Sequence, residues 1–378
     1  MSTSELRFSG LRAQALHIPF TTTFRHASAA RAETASVWVE LLDRDGRVIG
    51  RGESCPRPYV TGETIESAIA FLHRSTADLS RDVVSLESLR GWVSTRAGDI
   101  DRNPAAWCAA ELAILDALGA SSGVTVEALL GLPPLTKAFR YTAVVGDEDP
   151  EAFHALVRRY AALGFADFKV KLSGDVERDR QKLSAFSAFA DRDLRVRGDA
   201  NNVWKTLDEA CEALDRLGFD WFALEEPLEA GSYSALAALG NELGCRIVLD
   251  ESLTRREQLA TLTGLPGQWI VNVRVSKMGG LLRSMAVIEE AKRRGVGIVV
   301  GAQVGETSLL TRAGLTAAHA AGESLVAQEG AFGTHLLRAD VCDPPLMFGA
   351  AGVLDPAGFP TLTAAGLGPF SPDPAWLR

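Results

Sequence analysis

Two lysines separated by one residue, in the run Phe168-Lys169-Val170-Lys171, are the groups most suited to moving a proton. On a strand, residues i and i+2 share a face, so both ammonium groups project together while Val170 and Leu172 turn into an apolar layer. Like charges held side by side repel, which lowers the pKa of whichever lysine can give up its proton and prepares it to act as a base. A solvated edge strand would carry the same pair, but the downstream spacing argues otherwise. One short apolar run after another closes on a charged or polar residue: Asp199, Glu225, Asp250, Lys277, Gln303 and Glu329. Counted from Lys169, the intervals are 30, 26, 25, 27, 26 and 26 residues.

Each interval accommodates one strand and one crossover helix, the repeat a parallel barrel requires. In such a barrel the carboxyl ends of the strands form the site, and interior positions are otherwise Val, Ile or Leu. Charges confined to strand ends therefore point to chemistry. Before residue 136 the pattern is different. Leu6 to Pro19 reads as extended, and Ser36–Leu42 and Arg47–Glu53 read as a hairpin around Asp43-Arg44-Asp45-Gly46. Phe20 to Glu33 lacks periodicity and reads as a loop, as does the run from Cys55 to Glu63. Amphipathic helices are expected over 64–79 and 84–95. A third is expected to start at the cap Asn103, with Pro104 at its first position, and to close at Gly119. The expected fold class is α/β, a modified TIM barrel of (β/α)7β type. An N-terminal α+β capping domain spans 1–135, the barrel 136–343, and a Pro/Gly-rich tail, 344–378, returns to the capping domain.

Length and composition fit this size of fold, with 378 residues, 47% hydrophobic and 23% charged. A net charge of −9 with no basic stripe excludes nucleic acid as a partner. No apolar run approaches the ~20 residues that cross a bilayer, and Met1 to Ser9 lacks the apolar core of a signal peptide. Five scattered cysteines without zinc-like spacing read as buried thiols of a cytoplasmic protein.

The chain resembles the enolase superfamily, in its muconate lactonizing enzyme (muconate cycloisomerase) subgroup, which belongs to the mandelate racemase/muconate lactonizing enzyme family. The likeness is carried by Ala110-Glu111-Leu112-Ala113 through Gly119, Leu129-Leu130-Gly131, Lys169-Val170-Lys171, Asp199-Ala200-Asn201, Glu225-Glu226-Pro227, Asp250-Glu251-Ser252 and Lys277-Met278-Gly279-Gly280. The resemblance implies that Asp199, Glu225 and Asp250 hold a cation. Oxygen donors without His or Cys favour Mg²⁺, with Mn²⁺ the alternative. It also implies that Lys171 is the base, that Lys169 is its charge partner and carboxylate contact, and that Lys277 approaches the opposite face of the substrate carbon. Asn201, Glu251, Gln303 and Glu329 are expected around these groups, with Glu226 and Glu251 facing away from the cation or supporting it. Arg274 stands where many relatives carry a lysine and reads as a minor departure.

The implied chemistry is abstraction of a proton α to a carboxylate, with the developing negative charge stabilised by the cation. Lysines on opposite faces make a racemase or epimerase of a carboxylate such as an amino-acid derivative the first expectation. A muconate-type cycloisomerase or o-succinylbenzoate-type syn-dehydratase is the alternative, and a non-catalytic metal–carboxylate binder a remote one. The seventh strand ends in Gly301-Ala302-Gln303-Val304-Gly305-Glu306-Thr307, without the histidine of the mandelate racemase subgroup. The eighth ends in Ala327-Gln328-Glu329-Gly330-Ala331, without the Asp-x-Asp that holds a dipeptide ammonium. Substrate choice is expected from Phe20, Phe24, Arg25 and His26 in one loop and Arg57 and Tyr59 in the other, suiting a planar or apolar ligand with a second anionic group. A homo-oligomer is the default assembly.

Overall fold

The aspartate-led turn at 43–46 builds the hairpin expected between Ser36–Leu42 and Arg47–Glu53. Asp43 Oδ1 accepts from the amides of Asp45 and Arg47 at 2.9 and 2.8 Å, and Gly46 takes φ 76°. The computed structural model describes residues 5–26 and 29–378, except for the side chains of residues 23–30. Its N-terminal strands are β1 (Gly10–Leu16), β2 (Pro19–His26), β3 (Ala29–Glu33), β4 (Ser36–Leu42) and β5 (Val48–Ser54). β4 lies between β1 and β5 in an antiparallel sheet. β2 and β3 form a separate antiparallel pair where a loop was expected. A two-stranded ribbon outside the main sheet need not alternate apolar and polar residues, so its pairing leaves no sequence period.

A short helix, Pro58–Thr61, interrupts the loop expected over 55–63, and helices Ile65–Asp82 and Leu86–Thr95 follow, each opened by a hydroxyl cap, Thr64 and Ser85. Helix Pro104–Ser122 is buried from Pro104 to Gly119 and runs three residues past its expected end, to a left-handed Gly123. Asn103 makes no side-chain cap there; its amide donates instead to Asp99 O. This Ala-rich helix lies directly on β5. A Cβ at Gly50 or Gly52 would fall 2.1 or 2.0 Å from the carbonyl oxygens of Ala113 or Ala109, so only glycine permits the approach.

After β6 (Phe139–Arg140) come eight parallel strands: β7 (Ala143–Val145), β8 (Asp167–Lys171), β9 (Arg195–Asp199), β10 (Ala223–Glu225), β11 (Arg246–Leu249), β12 (Trp269–Val273), β13 (Gly297–Val300) and β14 (Leu325–Gln328). They lie in sequence order in one sheet, and Thr142 N donates to Gln328 O at 2.7 Å across the seam between its ends. Outward residues such as Phe168, Val170, Ile247 and Val271 join the main apolar core. Ala223, Val248, Ile270, Val299 and Ala327 make a smaller cluster of their own.

One crossover departs from the expected pattern. After β11 the chain forms only 3₁₀ turns, Arg256–Thr261 and Pro266–Gln268, because Gly264, Pro266 and Gly267 leave no room for a helix. The tail first covers the barrel floor, where β15 (Val353–Leu354) pairs with β6. It then reaches β1, with Ala15 and Arg378 exchanging backbone hydrogen bonds of 2.8 and 3.0 Å. Among the described residues, no helix is long and apolar enough to cross a membrane.

Candidate active site

Period two along β8 sends Lys169 and Lys171 to the same side of the sheet, as the sequence predicts. Lys169 is almost fully buried among acids from three other strand ends. Its Nζ lies 3.0 Å from Asp199, 2.8 Å from Glu225 and 3.3 Å from Glu329. Lys171 is more open and donates to Asp199 Oδ2 at 2.6 Å and Asn201 Oδ1 at 2.7 Å. Beneath them, buried Arg197 reaches Glu329 at 2.7 Å, Thr142 at 2.8 Å and Asp167 at 3.2 Å. That anchor fixes Glu329 where Lys169 meets it.

The acids at the ends of β9, β10 and β11 are close enough to share cations. Lys169 bridges Asp199 and Glu225. Arg274 contacts Asp250 and lies 3.8 Å from Glu225. Glu226, at φ 42°, turns away as expected and binds the next turn, accepting from Asp250 N, Ser252 N and Ser252 Oγ at 2.6–2.7 Å.

Charge and burial compete within this cluster. Burial alone would lower Lys169, but Asp199, Glu225 and Glu329 outweigh it and hold the ammonium well above the ordinary lysine value. Burial likewise opposes ionisation of Asp199 and Asp250, yet Lys169 with Lys171, and Arg274 with Lys277, bring these acids below their usual range. Glu225 goes the other way. Burial and the neighbouring acids push it to about 7 against the pull of Lys169. Burial and Asp250 push Glu251 to about 8.

No group of three acids, His or Cys among the described residues is gathered as it stands into a ready metal cage. The donor set nevertheless suits a hard divalent ion. It is all oxygen, it comes from three adjacent strand ends, and buried Glu225 Oε2 is ion-paired to Lys169 without forming a hydrogen bond. A divalent charge at that oxygen would keep Glu225 ionised.

Above the cluster is a cavity of about 270 Å³. Lys169, Lys171, Asn201, Glu251, Gln303, Glu329 and Tyr59 all line it, under an apolar side made by Val304, Phe332 and Leu336. Three expectations fail. Lys277 is not at the cavity. It sits beyond β12 in a short helix, Val275–Met278, fully buried, and its Nζ bonds to Asp250 Oδ1, Asp250 O, Asn272 O and Leu253 O at 2.7–3.2 Å. Arg57 is also fully buried, donating to the carbonyls of Thr34, Ala35, Pro56 and Val304 at 2.7–3.1 Å, so it ties the capping domain to the loop after β13. Phe20 is buried and pairs with Leu337 outside the cavity. The side chains of Phe24, Arg25 and His26 lie outside the described residues.

Arg274 is the residue that sequence reasoning undervalued. It lines the cavity, and its guanidinium donates to Gln303 Oε1 at 3.2 Å. The signal was parity. Ile270, inside the barrel, and Asn272, bonded to Glu225 Oε1 at 3.1 Å, share its strand face, whereas 277 is out of phase. Glu306 also lines the cavity, held by Gln303 N at 2.7 Å.

Residues 152–368 match the family model described as enolase C-terminal domain-like. The chain is 25% identical over 314 residues to the N-succinyl-L-Arg/Lys racemase of Bacillus cereus, a match covering 82% of this chain and 83% of that protein. It is 28% identical to the L-Lys-D/L-Arg epimerase of Methylococcus capsulatus, covering 78% and 82% of the two chains. A solved dipeptide epimerase from Methylococcus capsulatus, complexed with Mg and L-Arg-D-Lys, superposes with a TM-score of 0.79 at 27% identity, covering 96% of this chain and 99% of that one.

Proposed function

The chain belongs to the enolase C-terminal domain-like family, in the enolase superfamily, and from that premise we propose that it is a Mg²⁺-dependent isomerase. It removes the proton α to a carboxylate and acts as a racemase or epimerase on an amino-acid derivative, as its relatives' names suggest. The observation that carries this reading is the convergence of Lys169 and Lys171 on the acids of adjacent strand ends, beneath a small cavity.

Asp199, Glu225 and Asp250 are the residues that would hold Mg²⁺, which when bound supplies positive charge to the carboxylate that gains negative charge in the transition state. Lys171 is the base: it is the more open of the pair, and Asn201 Oδ1 aims its Nζ. Lys169, surrounded by acids, stays charged and contributes a donor to the substrate carboxylate. Tyr59, Val304 and Phe332 limit access of water to the cavity.

A screen in D₂O tests this, with N-acyl amino acids and dipeptides followed by proton NMR, with Mg²⁺ or with chelator. The expected result is metal-dependent loss of an α-proton signal, with a change of configuration. Absence of exchange throughout the screen, or exchange unaffected by chelator, contradicts it. A second reading, cycloisomerisation or syn-elimination, is favoured by one observation: Arg274, rather than a lysine, borders the cavity. Formation of a lactone or alkene from a matching diacid would distinguish it.

A further inference from the structure

We infer that Arg274 occupies the side of the cavity opposite Lys171, so that the site exchanges a proton on one face of the substrate carbon much more often than it inverts that carbon. The inference rests on the α-proton chemistry proposed above. β8 and β12 are four places apart in an eight-stranded barrel, and so stand across it from each other. Lys171, at the end of β8, and Arg274, just past the end of β12, line the same cavity. Lys277 cannot fill this role, because its ammonium has three protons and four oxygen acceptors around it, away from the cavity.

The chemistry of that side is set by the groups it presents. A guanidinium carries five N–H donors and no acceptor. Arg274 Nε and the neighbouring Gln303 Nε2 are both buried without a hydrogen-bond partner. Two such donors suit an oxygen that gains charge, and neither takes a proton from carbon. On the other side Lys171, as the base, accepts the α-proton while the C–H electron pair moves into the carboxylate. The resulting ammonium exchanges with solvent and returns a proton or deuteron to the same face, re-forming the bond with its original configuration. Inversion requires delivery from the Arg274 side and is the slow exit. A reaction needing proton transfer on the Lys171 face alone has no such brake.

Exchange and inversion measured on one sample decide this, with proton NMR in D₂O for the first and chiral chromatography for the second. The substrates are those that exchange in the N-acyl amino-acid and dipeptide screen. In the native protein, exchange is expected to exceed inversion by about a hundredfold, the lower end of what a positioned proton-transfer group supplies. Arg274→Lys should bring the ratio toward one. Its melting temperature and its calorimetric binding of N-succinyl-2-methylalanine, which has no α-proton, check that the site is intact. Inversion keeping pace with exchange in the native protein overturns the inference whether or not the variant folds, and would assign the second face to Glu251 or Glu306, which also line the cavity. Absence of exchange in the native protein instead overturns the underlying α-proton reading.

Discussion

The second and sixth barrel strands face each other, and each is followed or occupied by two basic residues, yet they use them differently. On β8 both lysines are in phase with the inward face, so both reach the acids and the cavity. After β12 only Arg274 is in phase. Lys277 lies in the helical turn beyond it and locks that turn to Asp250 and to three backbone carbonyls. The adjoining Gly280 meets the capping domain, where a Cβ would fall 2.3 Å from Glu111 Oε1, and that carboxylate accepts from Leu282 N at 2.9 Å. Lys277-Met278-Gly279-Gly280 thus braces the end of the barrel strands and meets the helix Pro104–Ser122 through Glu111. Position within the strand period, more than residue type, decides which cation reaches the cavity and which braces the fold.

The contrast is sharpest if each lysine is removed in turn. Lys171→Ala should reduce solvent exchange at the α-carbon by about 10³- to 10⁴-fold, with little change in melting temperature. Lys277→Met should do the reverse. Breaking a buried ion pair costs about 3–5 kcal/mol of stability, readable by urea unfolding, while any protein that remains folded keeps its ratio of exchange to inversion. A Lys277 variant as stable as the native protein but unable to exchange would reverse the two assignments.

Smaller effects probe the capping side. Arg57→Ala leaves the carbonyls of Thr34, Ala35, Pro56 and Val304 short of a donor. It should cost about 1–3 kcal/mol, with a greater loss of stability than of substrate affinity; a rise in KM at full stability would return Arg57 to the substrate. The smallest effect is a slope. Burial pushes the Glu53 carboxyl up to about 8, against hydrogen bonds from Thr307 that favour its charged form. The folded chain therefore holds one more proton there than the unfolded chain between pH of about 4.5 and 8. Stability should fall across that window as pH rises, by at most about 1.4 kcal/mol per unit from this group. Glu53→Gln should flatten the profile by that amount, and an unchanged slope would show that Glu53 is ionised in the fold.

What the sequence made legible was whatever repeats. The acids and lysines of β8 to β11 recur at strand–helix intervals, and alternation fixes which way they face. Arg57 carries no such signal. Three of its four acceptors lie at residues 34, 35 and 304, so its burial depends mostly on contacts across the chain. The β2–β3 ribbon was missed because it has no alternating apolar face, and the fifth crossover because a 27-residue interval is the same length with or without a helix. Lys277 was misassigned by a motif that is real but structural, although the parity of Ile270, Asn272 and Arg274 was present in the sequence.

All of the proposed chemistry depends on Asp199, Glu225 and Asp250 sharing a divalent ion beneath the lysines. Crystals grown with Mn²⁺ and recorded at its absorption edge test this directly. One anomalous peak is expected between the ends of β9, β10 and β11, within reach of all three acids, with Lys169 moved off Glu225. A peak elsewhere, or none while Lys169 still bridges Asp199 and Glu225, would contradict it.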